Sequence, residues 1–188
     1  MLPRMKQKYR EDVAPKLAEQ FAIKNSLALP RFEKIVLNVG MGKELDGTKV
    51  KATVRDQVLA DLAAISGQKA VMIKARKAVS NFKVREGYAT HAMVTLRGDR
   101  MWEFLDRLIT LAIPRVKDFR GLPDKSFDKA GNYSFGVQEQ GIFPEVNMAD
   151  AQYSHGMNIN VVVSNSDPEK SRFLLAEMGI PFVRPEDN

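Results

Sequence analysis

The chain contains no cysteine. Disulfides, thiolate metal sites and thiol nucleophiles are therefore excluded, which fits a reducing cytoplasm. Histidine is almost as scarce: His91 and His155 are the two in the chain, and neither stands in an HExxH or HxE arrangement. No zinc site follows from that spacing, and a lone histidine on a strand is ordinarily a packed or surface residue. Long apolar runs are missing as well. The longest, LITLAIP (108–114), is far short of the roughly 20 residues that cross a bilayer. The first residues, MLPRMKQKYRED, are charged, so neither a secretory signal nor a membrane anchor is visible. No internal repeat and no low-complexity segment occurs.

Signals for catalysis are just as thin. NVGMGKE has the flavour of a phosphate-binding loop, but the GxxxxGK[ST] spacing is absent and Glu44 stands where a magnesium-binding hydroxyl belongs. A turn is the simpler reading. Carboxylate pairs such as Glu139 with Glu145, or Asp99 with Glu103, arise readily in a chain with 23 acidic residues and carry almost no information. Neither a catalytic set nor a cofactor or metal site is expected.

What is present is a chain of 188 residues, 44% hydrophobic, enough for a single domain (1–188) with its own core. Its net charge of +6 is unevenly spread. Residues 1–139 hold 26 Lys and Arg against 16 Asp and Glu, whereas residues 140–188 hold 3 against 7. A basic body attracts polyanions, because each phosphate neutralised releases condensed counterions. Composition alone does not separate this reading from a lysine-rich solvated surface.

Periodicity predicts an alternation of helices and strands. RMKQKYREDVAPKLAEQF has helical spacing, with Pro15 set to break it into two pieces. RFEKIVLNVG (31–40) alternates as a strand. GTKVKATVRDQVLADLAAISGQ places Val50, Val54, Val58, Leu62 and Ile65 along one helical face, stopped by Gly67. KAVMIKA and EGYATHAMVTLRG read as strands. DRMWEFLDRLITLAI reads as a helix with Asp99 as N-cap and Trp102 on its core face. Residues 115–146 are rich in Gly, Pro and Asp, so turns should outnumber regular elements there. MNINVVVSNS is a strand. The last helix has Asp167 as N-cap, Pro168 in its first turn and Gly179 at its end.

Between the strands around residues 71 and 92 lies KARKAVSNFKVREG (74–87). Lys74, Arg76, Lys77, Lys83 and Arg85 crowd it, and with Lys69 added the run has six basic residues before its first acid, Glu86. A long hairpin loop is predicted. Lys and Arg can contact phosphate, Ser80 and Asn81 can hydrogen-bond sugar or phosphate, and an exposed Phe82 can stack on an unpaired base, as in recognition of folded RNA. No helix-turn-helix, zinc finger or heptad offers a helix for the major groove, which favours RNA over DNA.

DLAAISGQKAVMIKARKAVSNFKVREGY, VTLRGDRMWEFLDRLITLAIPRVKDFRGL, KSFDKAGNYSFGVQEQ and FPE, in that order, closely resemble the bacterial form of the large-subunit ribosomal protein five family, which binds 5S ribosomal RNA. The resemblance runs from about Tyr9 to Phe182. It implies an α+β domain in which an antiparallel sheet is backed by helices, a place among the RNA and neighbouring proteins of the large subunit in the cytoplasm, no membrane partner and no catalysis. It further implies that Asn38, Gly40, Ser66, Gly67, Gln68 and Lys69, with Thr95 and Arg97, face 5S rRNA. Lys74, Arg76, Lys77, Ser80, Asn81, Phe82, Lys83 and Arg85 would reach the tRNA in the peptidyl site. The segment RVKDFRGLPDKSFDKAGNYSFGVQEQ would face a protein at the head of the small subunit. Gly141, where the family ordinarily has an apolar residue, and the acidic tail RPEDN depart from the pattern.

Two other classes stand beside this reading. An RNA-directed enzyme would need a clustered acid and base or a cofactor loop, and a free-standing RNA chaperone would not travel with ribosomal subunits.

Overall fold

The computed structural model describes residues 2–42, 45–47, 49–149 and 151–183. Glu44 and the tail RPEDN lie outside the described residues. Two α-helical pieces, α1 (Arg4–Lys8) and α2 (Ala14–Gln20), open the chain, joined by a π-helical turn at Tyr9–Val13. The split falls where Pro15, in the first turn of α2, lacks the N–H of a continuous ladder. There follow β1 (Arg31–Gly40), a short hairpin of β2 (Leu45–Asp46) and β3 (Lys49–Val50), α3 (Ala52–Ser66), β4 (Val71–Lys74), β5 (Ala89–Leu96), α4 (Gly98–Arg107), β6 (Tyr133–Val137), β7 (Met157–Ser164) and α5 (Pro168–Met178).

The fold is α+β. Its main sheet is five-stranded and antiparallel in the order β4-β5-β1-β7-β6. β4 and β5 pair antiparallel with Val71 opposite Met93 and Ile73 opposite His91. Arg31 at the start of β1 bonds through its side chain to Ser164 at the end of β7. Just beyond β1, the Met41 amide donates to the Thr90 carbonyl near the start of β5. Alternation gives the sheet one buried face, carrying Ile35, Leu37 and Val39 of β1, Ala92 and Val94 of β5, and Ile159 and Val161 of β7.

The described residues group into two compact units. One gathers residues up to Ile35, Leu96–Phe135 and those from Asn160 onward. Here Trp102 packs against Tyr9 and Phe32, with ring centroids 5.6 and 5.1 Å away, so it is the core residue its helical spacing predicted. Arg4 pairs with Asp106, and Lys16 with Glu177 at 2.8 Å. α5 is capped as expected: Asp167 accepts from the Lys170 amide at 2.9 Å, and Gly179 closes the helix. Asp99 is not the N-cap of α4. Gly98, at φ +60°, turns the chain into the helix one residue earlier, so Arg97 occupies the cap. Asp99 falls in the first turn, favourable for a carboxylate, and accepts from Lys6 at 2.7 Å. That ammonium holds its carboxyl below the usual value.

The other unit comprises Val36–Thr95 and Gly136–Ile159. Val54, Val58, Leu62 and Ile65 of α3 are buried on one side, as the stripe predicts. Val50 is not part of it: it lies in β3 and is half-buried. Gly141 belongs to a short 3-10 turn, and Met148 fills the space a side chain would take, its Cγ 2.8 Å from where a Cβ would sit. β6, in the turn-rich segment, spans both units.

Candidate nucleic-acid interface

The second unit exposes the other side of the sheet. Because side chains alternate along a strand, the inward Leu37 and Val39 turn Asn38 and Gly40 outward, and the inward Ala92 and Val94 turn His91, Met93 and Thr95 outward. Val71 and Ile73 of β4, opposite Met93 and His91, lie exposed on the same face. Small and polar residues thus share this face with a few apolar ones.

One end of α3 borders it. Gly67 ends the helix at φ +64°, where its amide still donates to Ala63 at 2.9 Å. Ser66 is buried, and its hydroxyl donates to the Leu62 carbonyl at 2.6 Å while accepting from the Gln68 amide at 3.2 Å. Ser66 therefore shapes the turn, whereas Gly67 and Lys69 are exposed. The Gln68 side-chain amide donates to the Thr95 carbonyl at 3.2 Å, joining the helix end to β5. The structure thus brings Ser66, Gly67, Gln68, Lys69 and Thr95 together at one end of the face that Asn38 and Gly40 share. Arg97 belongs to the other unit, where it is exposed at the start of α4.

The basic hairpin has the predicted form. Its base is clamped by the Ala75 amide donating to Tyr88 at 2.8 Å and the Gly87 amide donating to Ala75 at 2.9 Å. Further out, Val79 and Val84 exchange two backbone bonds of 2.9 and 3.1 Å, and a single 3-10 turn, Ser80–Phe82, closes the tip with Lys83 in left-handed backbone. Lys74, Arg76, Lys77, Ser80, Asn81, Lys83 and Arg85 are all exposed. Phe82 at the tip is 73% exposed, far more than a ring recruited for a core. Among the described residues, none of the five basic side chains forms an ion pair. Their field is left for an external anion.

Beside the hairpin, Lys49 of β3 lies 5.5 Å from the centre of the Tyr88 ring. Between the hairpin and the turn after β1 runs an open groove of about 1510 Å³, lined among others by Gly40, Gly42, Gly47, Lys74, Arg76 and His91. No group of three or more His, Asp or Glu among the described residues could hold a metal ion, and none of their helices is long and apolar enough to cross a membrane.

His155 is a packed residue, as a histidine outside any metal motif ordinarily is. It is buried, and its Nε2 lies 3.0 Å from a carboxylate oxygen of Asp61. Gln140, fully buried, accepts from the His155 amide at 2.8 Å and donates to the Tyr153 carbonyl at 2.8 Å. Gln57 of α3 donates to the same carbonyl at 2.7 Å. These bonds tie α3 to the loop before β7, which is a structural task; no short-range motif announces it, because the partners are 94 residues apart.

The family model described as "Ribosomal protein L5" matches residues 25–85, and the model for the C-terminus of that ribosomal protein family matches residues 89–182. The chain is 48% identical to the large ribosomal subunit protein uL5 of Acidobacterium capsulatum over 182 residues, covering 97% of this chain and 98% of that protein. It is 48% identical to the protein of that name from Kocuria rhizophila, covering 96% and 93%, and 47% identical to that from Streptococcus suis, covering 98% and 100%.

Proposed function

The chain belongs to the ribosomal protein L5 family, and on that premise we propose that it is a structural, non-enzymatic constituent of the large ribosomal subunit in the cytoplasm. Within that role it binds 5S rRNA through the open sheet face and the end of α3, with Asn38, Gly40, Gly67, Gln68, Lys69 and Thr95, while buried Ser66 shapes the turn that presents them. Arg97, in the other unit, is a separate proposed RNA contact. The hairpin's basic residues, with Ser80, Asn81 and Phe82, hold the peptidyl-site tRNA, and the segment from Arg115 to Gln140 meets a protein of the small-subunit head. The observation that carries this reading is the hairpin itself: five exposed basic side chains without acidic partners among the described residues, around a tip aromatic, a composition suited to phosphate and an unpaired base.

The two RNA surfaces call on different chemistry. On the sheet face, Asn38 and Gln68 offer amide donors and acceptors, and an exposed glycine lets backbone approach closely. On the hairpin, charge dominates, which positions a polyanion without reading its sequence. The test is direct binding of the isolated protein to 5S RNA. Asn38→Ala with Gln68→Ala is expected to weaken it by about 1 kcal/mol or more. Replacing Lys74, Arg76, Lys77 and Lys83 by Ala is expected to leave specific binding largely in place. The reverse pattern would mean that the two surfaces have been exchanged.

A further inference from the structure

We propose that His91 is an additional RNA-binding residue, whose Nε2 hydrogen-bonds the ribose-phosphate backbone of the 5S RNA at the floor of the groove between the basic hairpin and the turn after β1. The proposal rests on the reading that the open sheet face binds that RNA, and it adds a residue that neither composition nor spacing singled out. Alternation along β5 buries Thr90 and turns His91 outward. The Thr90 hydroxyl lies 2.7 Å from His91 Nδ1, which fixes the ring and leaves Nε2 as its open nitrogen. Nε2 meets no partner among the described residues.

Gly40 lies beside that edge of the ring. A Cβ at position 40 would come within 3.6 Å of His91 Cδ2 and 3.8 Å of Nε2, so any larger residue there would lie along the ring edge facing the groove. Among the described residues Lys74, Arg76, Lys83 and Arg85 line the same groove, so its field favours a polyanion without selecting one, and the specific contact with the 5S RNA falls to His91 at the floor. Both ring tautomers suit an RNA strand. If the Thr90 hydroxyl donates to Nδ1, Nε2–H donates to a phosphate oxygen; if Nδ1–H donates to Thr90, Nε2 accepts from a ribose hydroxyl.

The test uses the full chain and transcribed 5S RNA, with Asn38→Ala, Gln68→Ala as a separate control and the melting temperature as a check on folding. His91→Ala and His91→Phe are both expected to bind about three- to tenfold more weakly, as for the loss of one hydrogen bond. His91→Lys is expected to bind at least as well as the wild type, with log K falling more steeply against log salt by about 0.7 to 0.9, as for one more phosphate neutralised. Wild-type affinity in His91→Ala, or an unchanged salt slope in His91→Lys, would overturn the proposal. Wild-type affinity in His91→Phe with weakened His91→Ala would also overturn it, because the ring would then be stacking. If the Asn38 and Gln68 control binds like the wild type, the failure lies with the sheet face as the 5S surface and not with His91.

Discussion

Single residues divide sharply into those whose role can be read locally and those whose partners are distant. Asp167 is of the first kind: an acid before Pro168 and an apolar helical stripe marks an N-cap, and the structure supplies the bond to the Lys170 amide. Hydrogen bonding from the Lys170 ammonium and amide holds its carboxyl below the ordinary value of 3.8. A lowered carboxyl contributes stability that is fully present above the unfolded value and is lost as pH falls through the folded one. Asp167→Ala is therefore expected to cost about 1 kcal/mol at neutral pH, and the difference from wild type should shrink in acid, as read by urea denaturation over a pH series. A difference that grew in acid would contradict the assignment. Gln140 and His155 are of the second kind. Their partners, Tyr153 and Asp61, can be assigned only once the loop before β7 and α3 are folded, and sequence spacing carries no trace of that.

At the scale of elements, helices and strands were legible wherever one period ran uninterrupted. The α3 stripe and the alternation of β1, β5 and β7 follow from 3.6-residue and two-residue spacing, and the basic hairpin was bounded correctly by the strands on either side. β6 is hidden although Tyr133, Phe135 and Val137 alternate with Ser134 and Gly136, because the five-residue run is short and lies inside a stretch whose Gly, Pro and Asp content reads as turns. The hairpin also makes the cleanest prediction at this scale, since its tip is exposed and its role is electrostatic. Arg76→Ala with Lys77→Ala should weaken retention of every peptidyl-site tRNA alike and reduce the slope of log K against log salt by roughly one to two. Phe82→Ala should lower affinity by roughly 1 to 3 kcal/mol with little change of slope. Dissociation of tRNA from purified mutant ribosomes over a salt series measures both, and unchanged affinity and slope in the two variants would leave the hairpin a solvated loop.

At the scale of the molecule, the chain passes between its two compact units at four places, Ile35 to Val36, Thr95 to Leu96, Phe135 to Gly136 and Ile159 to Asn160, each inside a strand. No cut of the sequence isolates either unit, so the whole is proposed to behave as one domain with a single cooperative unfolding transition by calorimetry and circular dichroism. Two resolved transitions would contradict this. What the sequence shows of the candidate site is the crowding of basic residues around Phe82, a property of composition, and long segments that point to the family, whereas the exposure of Phe82 is set by the fold. Ser66 shows the limit, because its place in the sequence does not reveal that its hydroxyl is committed to Leu62 and Gln68. The central claim, a structural protein of the large subunit anchored by its sheet face, is tested most directly by sedimentation of the tagged chain in a bacterial lysate. The wild type and a variant with Arg76 and Lys77 replaced by Ala are expected to move with large subunits, while Asn38→Ala with Gln68→Ala shifts toward the free fraction. A wild-type chain remaining near the top of the gradient, away from the subunits, would contradict the account.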